Sequence, residues 1–165
     1  MNVPLGPVAK EIVERLGLKP HPEGGYYAET FRSTLRVKLS DGRERSAGTT
    51  IYFLLGEGEF SALHRVASDE TWHHYSGAPL ELLLIHPDGR SEILRFGTDL
   101  ATGDRPQIIV PAGVWQAARS CGEYTLVGCT VSPGFEFGDF EMPSRAELLT
   151  LFPQHRDLVI RFTRE

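Results

Sequence analysis

Leu80-Glu81-Leu82-Leu83-Leu84-Ile85-His86, Pro87-Asp88-Gly89-Arg90, Ser91-Glu92-Ile93-Leu94-Arg95-Phe96 reads as two strands and the turn that joins them. Both arms are rich in apolar residues with strand preference. Between them Pro fixes one backbone angle, Asp bonds its own backbone, and Gly takes the positive φ that closes a tight turn. The arms are expected to pair antiparallel.

The same texture extends in both directions. Strands are expected at Tyr26–Ser33, Thr49–Leu55, Phe60–Val66, Thr71–Ser76, Gln107–Val110, Trp115–Arg119 and Tyr124–Val131, punctuated by Gly, Pro, Asp and Ser. Helices belong to the ends. Pro7 to Leu16 sets Val8, Ile12, Val13 and Leu16 on one helical face, and Gly17 follows as a left-handed cap. Ser144 and Glu147 have capping-box spacing ahead of Leu148, Leu149, Leu151 and Phe152, and Pro153 ends that element. Asp157 to Arg164 fits strand and helix equally, because Leu158, Ile160 and Phe162 alternate while Leu158, Val159 and Phe162 suit a helix. Many short strands with helices only at the ends imply an all-β antiparallel barrel or jelly roll, with residues 1–165 as one domain. Such a barrel has room at its mouth for one small ligand.

With 165 residues, 41% of them hydrophobic and 24% charged, the chain has the composition of a folded globular protein. A net charge of -5 without a basic run argues against a nucleic-acid partner. Thr49 to Leu55 is too short to span a bilayer, and the N-terminus lacks the basic-then-apolar order of a signal peptide, so a cytoplasmic protein without a membrane partner is expected. Cys121 and Cys129 form neither a disulfide framework nor a metal-spaced cluster, and are read as reduced thiols in core strands.

Polar groups concentrate in His64-Arg65-Val66-Ala67-Ser68-Asp69-Glu70-Thr71-Trp72-His73-His74-Tyr75-Ser76-Gly77. If Glu70 points into the barrel, strand alternation turns Trp72, His74 and Ser76 inward and sends Asp69, Thr71, His73 and Tyr75 outward. His64 can face inward from the preceding strand. Imidazoles and a carboxylate on adjacent strands suit either a divalent ion or an acid/base pair tuned by burial, and the spacing alone leaves both open. Glu23, Tyr26, Tyr27, Glu29 and Arg32 concentrate further polar and aromatic groups around the Gly24-Gly25 turn and the strand after it, and Gln116 offers an amide after Pro111 and Gly113. His21, His86 and His155 read as ordinary turn or surface residues.

These motifs resemble the cupin superfamily, whose first motif has the form G(X)5HXH(X)3-4E(X)6G and whose second has G(X)5PXG(X)2H(X)3N. His64, Glu70 and Gly77 match the first; Pro111 and Gly113 match the second. His21-Pro22-Glu23-Gly24-Gly25-Tyr26, Ser68-Asp69-Glu70-Thr71-Trp72-His73 and Ser132-Pro133-Gly134-Phe135 resemble the cupin-5 family over nearly the whole chain. The resemblance implies a double-stranded β-helix, a homodimer, and a family loosely described as predicted sugar epimerases. A metal site implied by it would use His64 and Glu70 with Gln116 and His74. However, the second histidine of the first motif falls on Val66 and the histidine of the second on Gln116.

The leading expectation is an enzyme that isomerises or epimerises a sugar, sugar acid or nucleotide sugar. His64 and Glu70 would be its catalytic pair, and Gln116 or Arg32 would polarise the substrate oxygen. Glu23, Tyr26, Arg32, Trp72, His74 and Gln116 would line the ligand site. The rivals are a divalent-metal dioxygenase or lyase and a non-catalytic metabolite-binding or sensor protein.

Overall fold

The computed structural model describes residues 4–165. It opens with helix α1, Pro7–Leu16, which Pro7 starts and Gly17 ends at φ 63°. Thirteen strands follow: β1 Lys19–Pro20, β2 Tyr26–Arg32, β3 Arg36–Lys38, β4 Glu44–Ser46, β5 Thr49–Gly56, β6 Phe60–Val66, β7 Asp69–Gly77, β8 Leu80–Ile85, β9 Ser91–Phe96, β10 Gln107–Val110, β11 Trp115–Ser120, β12 Tyr124–Ser132 and β13 Phe140–Glu141. Helices α2, Arg145–Leu151, and α3, Arg156–Arg161, close the chain. Among the described residues, no helix is long and apolar enough to cross a membrane.

Two antiparallel sheets form the barrel, one in the order β1-β2-β5-β12-β7-β10 and the other β13-β6-β11-β8-β9. The hairpin expected at Pro87-Asp88-Gly89 joins β8 to β9, pairing Leu80 with Phe96 and Ile85 with Ser91. Strand alternation then divides each apolar run between two cores. Leu82 and Leu84 face inward with Phe53, Leu55, Trp72 and Phe96. Leu83 and Ile85 face outward and are covered by Leu148, Val159 and Phe162 of the C-terminal region. This two-sided burial explains why Leu82-Leu83-Leu84-Ile85 is apolar without a break.

On the other sheet, Leu54 faces outward beneath α1, where Ala9 is fully buried and Ile12, Val13 and Leu16 pack around it. Val8 is corrected here: it lies exposed, and Ala9 supplies the contact. The capping box at Ser144 and Glu147 forms as expected. The segment left open between strand and helix is helical as far as Arg161, with Phe162 as the cap, and Val159 and Phe162 pack toward Leu63 and Leu83. Cys121 is corrected too, lying exposed after β11, whereas Cys129 is buried in β12.

Candidate functional site

A cavity of about 140 Å³ opens between the sheets near one end of the barrel. Its inner part carries His64 from β6, Glu70 and Trp72 from β7, Cys129 from β12, and His21 and Glu23 from the loop before β2. Arg32, Glu29, Glu136 and the half-exposed Phe137 surround its mouth. Expected inward positions for His64, Glu70 and Trp72 are therefore observed, with His64 only 2% exposed.

The loop from His21 to Gly25 places Glu23. Gly24 and Gly25 take φ values of 109° and 70°, a region that side chains with a Cβ rarely enter. His21 N–H donates to the Gly25 carbonyl, and Ala62 N–H donates to the Glu23 carbonyl at 2.8 Å, which ties the loop to β6. Glu23 thus turns inward with 7% exposure, where the Ser61 hydroxyl donates to its Oε1 at 2.9 Å. Its Oε2 lies 3.3 Å from His64 Nε2 and 3.6 Å from His21 Nδ1. The Nδ1 of His64 is 2.7 Å from the Ala62 carbonyl, which can only accept, so Nδ1 carries the proton and the Nε2 lone pair faces the cavity.

Gln116 sits behind this group at 1% exposure. Its Oε1 accepts from Trp72 Nε1 at 2.9 Å, and its Nε2 donates to Glu70 Oε2 at 2.5 Å. Cys129 lines the cavity wall together with Glu70. Burial is the largest influence on the inner histidines and glutamates. It raises the carboxyls of Glu23 and Glu70 and lowers the imidazoles of His21 and His64, favouring neutral forms throughout.

Several expected positions are corrected. Tyr26 packs outside the barrel beneath α1, and Tyr27 lines the cavity beside Phe53, its partner in register. Alternation continues to Glu29, after which a register shift before Phe31 returns Arg32 to the cavity side. Arg32 spends its donors on Glu29 at 2.8 Å, on Glu136 at 3.0 Å and on the Phe135 carbonyl. His21, read from sequence as a turn residue, is a cavity residue whose ring packs edge-on against Tyr27 with 4.6 Å between centroids. No strand period marks a loop residue, and the one signal that could have found it is its nearness to Glu23 in the motif.

His74 shares the inward face of β7 but lies four residues, about 13 Å, further along the strand from Glu70. Its ring packs on Phe96 and its Nε2 donates to the Ala78 carbonyl at 3.0 Å, outside the cavity. A divalent ion would therefore not find the donor set implied by the resemblance. Val66 presents methyl groups to the cavity, Gln116 has both ends engaged, and His74 is out of reach. Among the described residues, no group of three or more His, Cys, Asp and Glu side chains is arranged to hold a metal ion. The remaining inner groups include a tautomer-fixed imidazole and carboxyls that burial shifts toward their protonated forms, which suit proton exchange and hydrogen bonding to a small polar molecule.

Two antiparallel sheets closed around a polar-floored cavity define a cupin barrel. The match to the Cupin superfamily (DUF985) cupin-5 profile runs from residue 10 to residue 143, and the chain belongs to that family. It is similar to the uncharacterized protein YML079W of Saccharomyces cerevisiae, at 27% identity over 79% of this chain and 72% of the yeast protein. Among solved structures, a hypothetical protein from Leishmania major superposes with a TM-score of 0.90 at 37% identity, covering 95% of this chain and 99% of that one. Protein SO0799 from Shewanella oneidensis gives 0.88 at 39% identity, covering 94% and 97%. Oxalate decarboxylase from Bacillus subtilis shares the fold alone, with a TM-score of 0.57 at 14% identity, covering 87% of this chain and 36% of the decarboxylase.

Proposed function

We propose that this cupin is an enzyme that moves a proton next to a carbonyl group, isomerising or epimerising a small sugar, sugar acid or similar metabolite. The observation that carries the reading is the His64 ring, whose Nδ1–H is held by the Ala62 carbonyl so that the Nε2 lone pair turns into the cavity, 3.3 Å from the buried Glu23 carboxyl. An imidazole that burial holds toward its neutral form is a suitable base, and a Glu70 carboxyl that burial holds toward its protonated form is a suitable acid.

In this scheme His64 Nε2 takes the proton from the carbon beside the carbonyl. The C–H electron pair forms the enol double bond, and the carbonyl oxygen accepts the Glu70 proton. Return of a proton to the opposite face of the same carbon, as the enol hydroxyl gives its proton back to Glu70, gives epimerisation; return to the former carbonyl carbon, as the hydroxyl on the neighbouring carbon gives its proton to Glu70 and becomes the new carbonyl, gives isomerisation. Gln116 acts as a positioning residue, because it holds Glu70 from behind while Trp72 holds it. Cavity size narrows the substrate. About 140 Å³ matches a molecule near the size of benzene. A nucleotide sugar would therefore insert only its sugar end.

The test is hydrogen exchange in D2O, followed by NMR on a panel of small sugars, ketoses and sugar acids. Wild type is expected to place deuterium on the carbon beside the carbonyl of a substrate. Glu70→Gln should abolish exchange while its circular dichroism stays unchanged. Exchange that persists in both Glu70→Gln and His64→Ala removes these residues from the mechanism.

A further inference from the structure

The floor of the cavity holds more hydrogen-bond acceptors than protons to serve them. His64 Nε2 and His21 Nδ1 both turn toward Glu23 Oε2. His21 Nδ1 already accepts the backbone N–H of Glu23, and the proton of the His64 ring lies on the opposite nitrogen. Ser61 donates to the other oxygen of Glu23, not to this one. Within the cluster, therefore, only a proton shared between Glu23 and His64 can stand between these acceptors.

The nearby guanidinium groups are committed elsewhere. Arg32 is taken up at the mouth by Glu29 and Glu136, and Arg164 donates to the carbonyls of Glu23 and Phe60 while lying over the Phe60 ring. Among the described residues, no Lys or Arg side chain pairs with the carboxylate of Glu23 or Glu70. Around the acceptors stand the rings of Tyr27, Phe53, Trp72 and Phe140, with Phe140 5.2 Å from His64 between centroids. Aromatic faces attract cations, and an acceptor cluster lacking donors suits a group that brings several N–H bonds with its charge.

We infer that the ligand of this cavity is a small primary ammonium compound whose nitrogen binds Glu23 and whose nitrogen-bearing carbon lies beside His64. The inference rests on the proton-transfer reading for its chemistry, and adds the charge of the substrate. The ammonium group takes the place of the shared proton on Glu23, so one proton leaves to solvent for each ligand bound. His64 Nε2 is thereby left without a hydrogen-bond donor and free to act as the base. A carbonyl compound bearing an amine on the adjacent carbon meets both requirements.

Aminoacetone and hydroxyacetone test this as a matched pair, since each carries a carbonyl and they differ in ammonium against hydroxyl. Isothermal titration calorimetry of the wild-type protein in two buffers of different ionisation enthalpy gives both affinity and proton count. Aminoacetone is expected to bind at least about tenfold tighter, with release of one proton, and hydroxyacetone without release. Glu23→Gln should lose the preference and the proton release together. Equal affinities in wild type, no binding of aminoacetone at millimolar concentration, or a preference that survives Glu23→Gln would each overturn the inference. If Glu23→Gln does not fold, the wild-type pair and its proton count decide alone. Deuterium exchange in the same samples separates the two claims. Preferred aminoacetone binding without exchange keeps the charge and removes the proton-transfer reading. Exchange of neutral compounds without amine preference does the reverse.

Discussion

Replacing Gln116 by Leu tests whether one amide joins the wall of the barrel to its acid. The variant removes the acceptor of Trp72 Nε1 and the donor to Glu70 Oε2 at a site where Gln116 is 1% exposed. Leu fills a similar volume but satisfies neither group. Each buried polar group left unpaired costs about 1–3 kcal/mol, while the added apolar burial returns about 1 kcal/mol. A net loss of about 3 kcal/mol follows, and for a chain of this size it lowers Tm by about 6–12 °C. Thermal unfolding followed by tryptophan fluorescence and near-ultraviolet circular dichroism measures it directly. Gln116→Glu is the companion, because it keeps an acceptor for Trp72 but sets a second carboxyl against Glu70, and its deficit should shrink as the pH falls. A Gln116→Leu protein melting within about 2 °C of wild type would refute the bridging role.

Stability should also follow pH through the inner groups. His21 and His64 have lowered folded values, so the unfolded chain binds more protons below the ordinary 6.5, and stability falls as pH drops through that point. Glu23 and Glu70 have raised folded values, so they oppose this, costing stability as pH rises above the ordinary 4.5. His64→Gln should accordingly show a shallower loss of Tm between about pH 6.5 and 5 than wild type; parallel curves would count against a buried neutral imidazole. Thiol titration with a disulfide reagent should find one reactive cysteine in the native protein, the exposed Cys121, and a second, Cys129, only after denaturation. Gly25→Ala would bring a Cβ within 2.5 Å of the Leu54 carbonyl at φ 70°, and is expected to cost at least about 2 kcal/mol in urea unfolding.

Legibility in the sequence tracked how each residue is held. Strands such as β6, β9 and β10 match their expected limits because apolar runs bounded by Gly, Pro and charged residues leave little latitude. The β3–β4 hairpin went unread. Arg36-Val37-Lys38 and Glu44-Arg45-Ser46 are largely polar, and their anchorage comes from long-range contacts such as Arg45 with Asp139 and the Ser46 hydroxyl with the Ser33 carbonyl. The inward face of β7 was legible because two-residue alternation holds from Glu70 to Trp72. In β2 the clustering of polar and aromatic groups does not separate Tyr26 from Tyr27, and the register shift before Phe31 breaks the alternation that would have done so further along the strand. For His74 alternation gives the right face, while its four-residue offset from Glu70 carries it out of the cavity to the Ala78 carbonyl. Glu23 was named as a ligand residue, but its nearness to His64 exists only once the loop is tied to β6.

Val66 gives this barrel a use in protein design. It lies two residues beyond His64 on the same strand, and its side chain lines the same cavity as Glu70. A single Val66→His exchange would set a further imidazole beside His64 and Glu70, whose backbone positions already exist, so a three-donor centre is one codon's work away. Cobalt(II) absorbance, weak in the parent and strong in the variant, would report the change and turn this cupin into a chassis for building metal sites from scratch.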